Sequence, residues 1–291
     1  MKNSLLQFAL GLVCAAQFCF AQDLTIPDKK YTAVISFKHA PVRSNPSYPL
    51  SDQANQGGWV LNRELSDEFD GLALNTNKWF PNNPRWQGRP PTFFDTSNVS
   101  ITNGEAVFSI NRHGAKKLPK GFTDTSGFIV SRQTARYGYF EAEMKLMDAP
   151  WVSGFWMSNS EKNWHTEIDI CENCPGVPAN RHDLNSNLHV FRSPPDQGNV
   201  RKHFDLSKKY RVPFELQADW HVWGLEWDEQ YVRFYLDGVL FRTQTNTHWH
   251  QPLRINFNNE SNKWFGALPN DNTNQVFRVR YFRLWEKARS K

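Results

Sequence analysis

The plainest regularity in the chain is alternation with a period of two. Across residues 137–147, Phe140, Ala142, Met144 and Leu146 share one parity while Glu141, Glu143 and Lys145 take the other. That is the pattern of a strand packed on one side and solvated on the other. Ala106, Phe108 and Ile110 alternate with polar neighbours over residues 105–111, and Phe277, Val279 and Tyr281 alternate with Arg278 and Arg280. The Arg278/Arg280 pair therefore reads as a solvated face. Two further runs, 231–236 and 239–242, flank Asp237-Gly238, a pair that suits a two-residue hairpin turn because both residues tolerate positive φ. No segment carries a long stripe with a period of 3.6. Many short strands separated by turn signals predict an all-β chain folded as one β-sandwich or jelly roll.

The two ends of this pattern differ from its middle. Lys2 precedes an apolar run from Leu5 to Ala16, too short to span a bilayer, and Cys19-Phe20-Ala21 offers a small-x-small cleavage site before Gln22. Residues 1–21 thus read as a signal peptide and the chain as exported, to the periplasm, the cell surface or the medium. Cys14 follows Val13, too bulky for a good lipidation motif, so ordinary cleavage is expected. Residues 22–57, with Pro27, Pro41, Pro46, Pro49 and Gly57-Gly58, read as an extended arm that covers a sheet or tethers the domain at 58–291. Of the four cysteines, Cys171 and Cys174 remain after export. They lack a thioredoxin-like context and the two further ligands zinc would need, which leaves a local disulfide or two plain thiols.

Composition narrows the function. The 291 residues include 12 Trp, 22 Phe and 8 Tyr, yet only 39% are hydrophobic. A polytopic membrane protein and a disordered chain are both excluded. The net charge of +5 falls to +4 once Lys2 leaves. Its basic residues are dispersed, so it suggests an anionic or sugar-like partner more than a nucleic acid.

The most informative stretch is residues 165–172 (HTEIDICE). In a strand, Glu167 and Asp169 share one face while Ile168 and Ile170 share the other. Strict alternation would send Glu172 to the wrong side, but a β-bulge at Ile170-Cys171 returns it beside the other acids. Three acids crowded on one face repel each other, which a solvated structural strand would avoid. Two carboxylates about 5–5.5 Å apart serve a retaining glycosidase as nucleophile and acid/base, and a third between them can orient the nucleophile and keep its neighbour protonated. A metal site from His165, Glu167 and Asp169 is the other chemistry these residues allow.

The stretch E-I-D-x-x-E resembles the active-site strand of glycoside hydrolase family 16 in its bulged form; the bulge-free lichenases use E-x-D-x-E. Residues 59–70 with Lys78-Trp79, then 137–142, 154–157, 221–227 and 234–238, match the family in order, so the resemblance covers about 58–286. It implies a concanavalin-like jelly roll with a concave substrate cleft, Glu167 as nucleophile, Asp169 as auxiliary acid and Glu172 as acid/base. Residues 84–91 (PRWQGRPP) resemble the W-x-G-R-x-P loop of β-agarases and β-porphyranases. Residues 258–264 (NNESNKW), with Glu260, resemble their N-T-E-x-x-x-W segment, with Asn259 in place of Thr. Leu188-His189-Val-Phe191 is similar to the region of a histidine that follows their catalytic strand. Laminarinases usually carry Gly before that strand and M-E at its end, where this chain has Thr166 and Cys171-Glu172.

Within that resemblance, Trp86 and Trp156 are the expected sugar platforms, with Trp151, Trp164 and Trp264 behind them. His189 is a hydrogen-bond candidate, and Arg85, Arg89 and Arg132 could grip a sulfate through charge-assisted forks. The expected protein is a monomeric, endo-acting, retaining β-glycosidase of sulfated red-algal galactan (porphyran). Neutral agarose and κ-carrageenan are the alternative substrates, and a non-catalytic carbohydrate-binding lectin is the alternative class. No membrane span, nucleic acid or required cofactor is expected. The resemblance leaves room for a structural calcium ion, without an oxygen-rich loop specific enough to name its ligands.

Overall fold

A computed structural model describes residues 30–112, 118–261, 263–265 and 274–288; the signal-peptide segment lies outside these. Strand formation dominates, and two large antiparallel sheets face each other. The front sheet runs, in spatial order, Phe204–Asp205, Asp183–Arg192, His165–Asn173, Val152–Ser160, Arg254–Glu260, Phe128–Ser131 and Trp79–Phe80, with Lys208–Arg211 also paired to Asp183–Arg192. The rear sheet runs Val239–Thr245, Tyr231–Leu236, His221–Trp227, Gly138–Lys145, Phe277–Lys287, Glu105–Phe108 and Val99–Thr102, with Trp59–Leu61 paired to Phe277–Lys287. This is the expected jelly-roll sandwich. No described helix is long and apolar enough to cross a membrane.

The core between the sheets follows the alternation. Phe140, Ala142 and Met144 from the rear meet Phe155, Met157, Ile168, Ile170, Leu188 and Phe257 from the front, all at most 1% exposed. Phe155 and Phe257 stack with centroids 4.7 Å apart. The expected hairpin forms: Asp237 (φ 49°) and Gly238 (φ 72°) join Tyr231–Leu236 to Val239–Thr245. Gly238 is needed twice over, since a Cβ there would also lie 2.4 Å from Cγ of Pro41.

Three readings of the pattern change. The run over residues 105–111 breaks at Ser109, whose N–H goes to the Asn98 carbonyl. Glu105–Phe108 thus joins the rear sheet, and Ile110–Arg112 a separate four-stranded sheet. In the last strand the register slips opposite Glu143/Met144, so Glu143 faces Tyr281 and Met144 faces Val279. The bulge at Arg280 turns Tyr281 away from the side taken by Phe277 and Val279. Arg278 and Arg280 are not merely solvated: they pair with Glu105 at 2.9 Å and Glu143 at 3.1 Å, and Arg280 lies over the Trp220 ring.

The third change concerns Glu141, read as solvent-facing but fully buried. The N-terminal arm lies over the outside of the rear sheet and covers it. Arg43 pairs with the Glu141 carboxylate, the Leu50 N–H donates to it at 2.7 Å and the Tyr281 hydroxyl at 3.0 Å. Tyr139, Tyr235, Trp59 and Trp285 pack on this same outer side, and the Trp285 indole donates to the Ser47 carbonyl at 2.7 Å. The arm therefore caps a second, smaller core. Cys171 and Cys174 are both buried free thiols, which decides between the two alternatives for that pair.

Burial raises the Glu141 pKa against the pull of Arg43. Arg43→Ala leaves that carboxylate without its cation, a change that costs about 3–5 kcal/mol. A group with a raised folded-state pKa stabilises below the ordinary carboxylate range and loses that contribution as pH rises. The full cost is therefore expected at about pH 8 and a smaller one at about pH 4, where the carboxyl is protonated. Urea unfolding at both pH values measures it; equal costs would show that charge burial is not the cause.

Candidate active site

Strand His165–Asn173 and its neighbours set out the acids as a row. Glu167, Asp169 and Glu172 lie opposite Ser158, Trp156 and Gly154 of the adjacent strand, a regular every-second-residue ladder. Regularity is possible because Phe155 pairs with Cys171 and Trp156 with Asp169, which leaves Ile170 as the extra residue. This is the expected bulge. Ile168, Ile170 and Cys171 all enter the core, so apolar burial on one side fixes the acids on the other. Gly154 has no room for a side chain, because a Cβ would sit 2.5 Å from Oδ1 of Asn258.

On the flanking strand Glu167 faces His189 and Asp169 faces Asn187. Asp169 Oδ2 is buried with no hydrogen bond among the described residues, and His189 Nε2 stands 3.3 Å from it. The His189 ring is held from both ends, by Asn187 Nδ2 at 2.9 Å and His203 Nε2 at 3.0 Å. Below the row, the buried Trp249 donates its indole N–H to the carbonyls of Glu167 (3.0 Å) and His189 (3.1 Å), tying the two strands together. The buried Arg242 reaches across from the rear sheet to the carbonyls of Ser186 and Leu206.

Burial and crowding raise all three acids. Glu167 is pushed up to about 8, first by burial and then by Asp169. Asp169 is pushed to about 8 by burial, against the attraction of Arg242. Glu172 is also raised well above the carboxylate range, through burial and then the charges of Asp169, Glu260 and Glu167. Raised values of this kind keep protons in the row at neutral pH, as a general acid requires. Donor atoms of Glu167, Asp169 and His189 lie within 4.8 Å of one another, the one grouping among the described residues compact enough to hold a cation. His165 does not join it as the sequence suggested; it stacks on Phe191 (4.1 Å), and burial lowers its pKa to about 4.

The acids line two lobes of one groove, about 510 Å³ on the Trp86 side and about 780 Å³ on the His189 side. In the first, the half-buried rings of Trp86 and Trp156 meet edge to face at 6.3 Å. The Trp156 indole donates to Asn258 Oδ1 at 2.8 Å, while the buried Asn258 Nδ2 has no partner among the described residues. Arg89 Nε contacts Glu260 Oε2 at 3.2 Å, and both line this lobe. Arg85 lines it too, with its guanidinium donating to the Ser160 carbonyl.

Other sequence candidates fall elsewhere. Arg132 is outside both linings; it stacks over Phe80 at 4.0 Å and donates to the Thr76 carbonyl. Trp151 is a core residue, 1% exposed, and Trp164 lines neither lobe. Trp264 lies in the turn Lys263–Phe265, and its side chain is outside the described part. Sequence reading missed Arg254, Asn256, Asn258 and His203, all of which line the groove. The first three had a signal: Ile255 and Phe257 alternate with them in Arg254–Glu260, so they share the open face with Glu260. His203 had none, because its approach to His189 depends on strand pairing.

Comparison with known proteins agrees with this geometry. The family model for the β-porphyranase A–D domain of glycoside hydrolase family 16 matches residues 59–286. The chain belongs to glycoside hydrolase family 16. It is 30% identical to β-porphyranase B of Phocaeicola plebeius, over 89% of this chain and 90% of that protein. To β-porphyranase E of Zobellia galactanivorans it is 30% identical, over 71% and 78% respectively. The crystal structure of porphyranase B from Zobellia galactanivorans superposes with a TM-score of 0.71 and 25% identity, covering 78% of this chain and 92% of that one. This family 16 protein is thus a glycoside hydrolase, and the lectin alternative falls away.

Asp169→Asn removes the charge that raises both of its neighbours. Glu172 and Glu167 should then release their protons at lower pH, so both limbs of the kcat/KM profile should move to lower pH while kcat drops by about 100-fold or more. A pH–rate profile with unmoved limbs would contradict this coupling.

Proposed function

We propose that this glycoside hydrolase is a secreted, endo-acting, retaining β-glycosidase of red-algal galactans, with sulfated porphyran as its preferred substrate. The observation that carries the substrate choice is a pair of cations on the Trp86 side of the acids. Arg85 and Arg254 both line that lobe, and neither has a carboxylate within ion-pair distance among the described residues. Burial lowers the Arg254 pKa, and the charge of Arg85 lowers it further, so the two guanidiniums repel each other. An anionic ester between them relieves that repulsion and accepts their N–H groups. The porphyranase names of the 30% identical relatives support the same reading. A groove open on both sides of the acids suits a long chain cut internally, and the apolar run after Lys2 suits export.

Cleavage then takes two steps. Glu167 attacks the anomeric carbon while Glu172 gives its proton to the departing glycosidic oxygen. Glu172 next takes a proton from water, which displaces Glu167 and releases a product of retained β configuration. Asp169 lies between them and opposes full ionisation of the row. The faces of Trp86 and Trp156 would carry the C–H-rich faces of neutral sugar rings, which keeps agarose as the second substrate.

NMR of freshly cut porphyran should show the β-anomer first, and Glu167→Gln should bind oligosaccharide with turnover reduced at least ~1000-fold. A first-formed α-anomer would rule out retention. Arg254→Ala should lower kcat/KM on porphyran about 10–100-fold and leave desulfated chains nearly unaffected. Equal losses on both would remove the sulfate from the argument, and wild-type cleavage of agarose alone would overturn the porphyran assignment.

A further inference from the structure

The larger lobe ends on residues from the far end of the sequence. Lys30 and Thr32 of the N-terminal arm line the same cavity as Glu167, Asp169 and Glu172. They reach it because the arm continues the front sheet. The Thr32 N–H donates to the Lys209 carbonyl at 2.7 Å, the Arg211 N–H to Ala33 at 3.0 Å, and the Ile35 N–H to Arg211 at 2.8 Å, around a parallel bridge between Val34 and Arg211. Lys208–Arg211 would otherwise be an exposed edge, and the arm pairs with it as one more strand.

A buried carboxylate locks this addition in place. Asp183, 1% exposed, accepts the Tyr31 hydroxyl at 2.6 Å and faces Lys209 Nζ at 2.8 Å and Lys30 Nζ at 3.2 Å. One carboxylate thus meets two ammonium groups, and the local balance is positive. The adjacent Lys208 is exposed, lines the lobe and has no ion-pair partner among the described residues. Asn185 and Asn187 line the stretch between these lysines and the acids. From the acid strand to the arm is three strand spacings, about 14 Å, which is several sugar units from the point of cleavage.

We infer that the arm strand is a working wall of the substrate groove: it forms a distal subsite in which Lys30 and Lys208 hold an anionic ester of the galactan chain. The inference rests on the sulfated-galactan reading for the nature of that ester, and on the arm's position alone for the existence of the subsite. The chain would then be gripped by cations on both sides of the acids, by Arg85 and Arg254 on one and by the lysines on the other. A contact so far from the reacting bond binds the ground and transition states alike, so it acts on KM more than on kcat.

The test compares the Lys30→Ala/Lys208→Ala double variant with wild type on size-fractionated oligosaccharides of whichever galactan the wild type cuts, sulfated and desulfated. On long sulfated chains KM should rise about tenfold, the equivalent of one charge-assisted hydrogen bond, with kcat within about twofold. The shortest cleavable chains should be unaffected, and Lys30→Arg/Lys208→Arg should restore most of the loss. Tyr31 and Lys209 still hold Asp183 in the variant, so its melting temperature should stay close to wild type. An equal loss on short and long chains, or no loss on long ones, would overturn the distal subsite. A length-dependent loss that persists on desulfated chains keeps the subsite and overturns the ester as its ligand. Should the wild type cut only neutral galactan, the substrate reading fails by itself, and the same length comparison still decides the arm.

Discussion

Mutual repulsion among Glu167, Asp169 and Glu172 is the constraint around which the rest of the front sheet is arranged. Like charges on one strand face separate if the strand can twist, slip or fray, so they must be held from behind. Ile168, Ile170 and Cys171 do this by entering the core, and the bulge at Ile170 lets all three acids keep the same face while all three apolar neighbours keep theirs. Trp249 ties the strand to the one beside it. Burial first, and the crowding of acids after it, raises the pKa values of the row. Such groups stabilise the fold below the ordinary carboxylate range and lose that contribution as pH rises, for Glu167 and Asp169 through about 8. The protons held in the row at neutral pH and the stability given up at high pH thus share their causes.

The rear sheet supplies the rigidity. Its centre is buried on both faces, by the sandwich core inside and by the N-terminal arm outside, with Glu141 as the buried pin. Arg242 extends from that sheet to carbonyls of the front one and places a cation within electrostatic reach of Asp169. The arm thus has two roles along its length: residues near Arg43 and Leu50 seal the rear sheet, and residues near Lys30 widen the front one. Substrate groove and support are parts of one layered structure.

Much of this was legible in the residue pattern. Period-two alternation identified the strands, and Asp237-Gly238 identified a hairpin. The five-residue gap between Glu167 and Glu172 demanded a bulge, which forms where that spacing placed it. Each of these is local: it depends on which face of one strand a residue takes, and apolar burial enforces the choice. The misreadings were also physical. Glu141 looked solvent-facing because a charged residue opposite an apolar stripe usually is, but a distant arm covered it. Tyr281 followed the parity of Phe277 and Val279 until a bulge at Arg280, unannounced by any turn residue, turned it over.

The sequence by itself determined the sheet-forming segments, the acid row and the kinds of side chain that would meet a sugar, because alternation and local spacing are properties of one segment. Tertiary structure decided which of those side chains line the groove. It sent Trp151 to the core and Arg132 onto Phe80, and it brought Arg254, His203 and Lys30 to the groove from separate parts of the chain. Such encounters follow from sheet order and register, which are fixed only when every strand has found the partner that buries its apolar face.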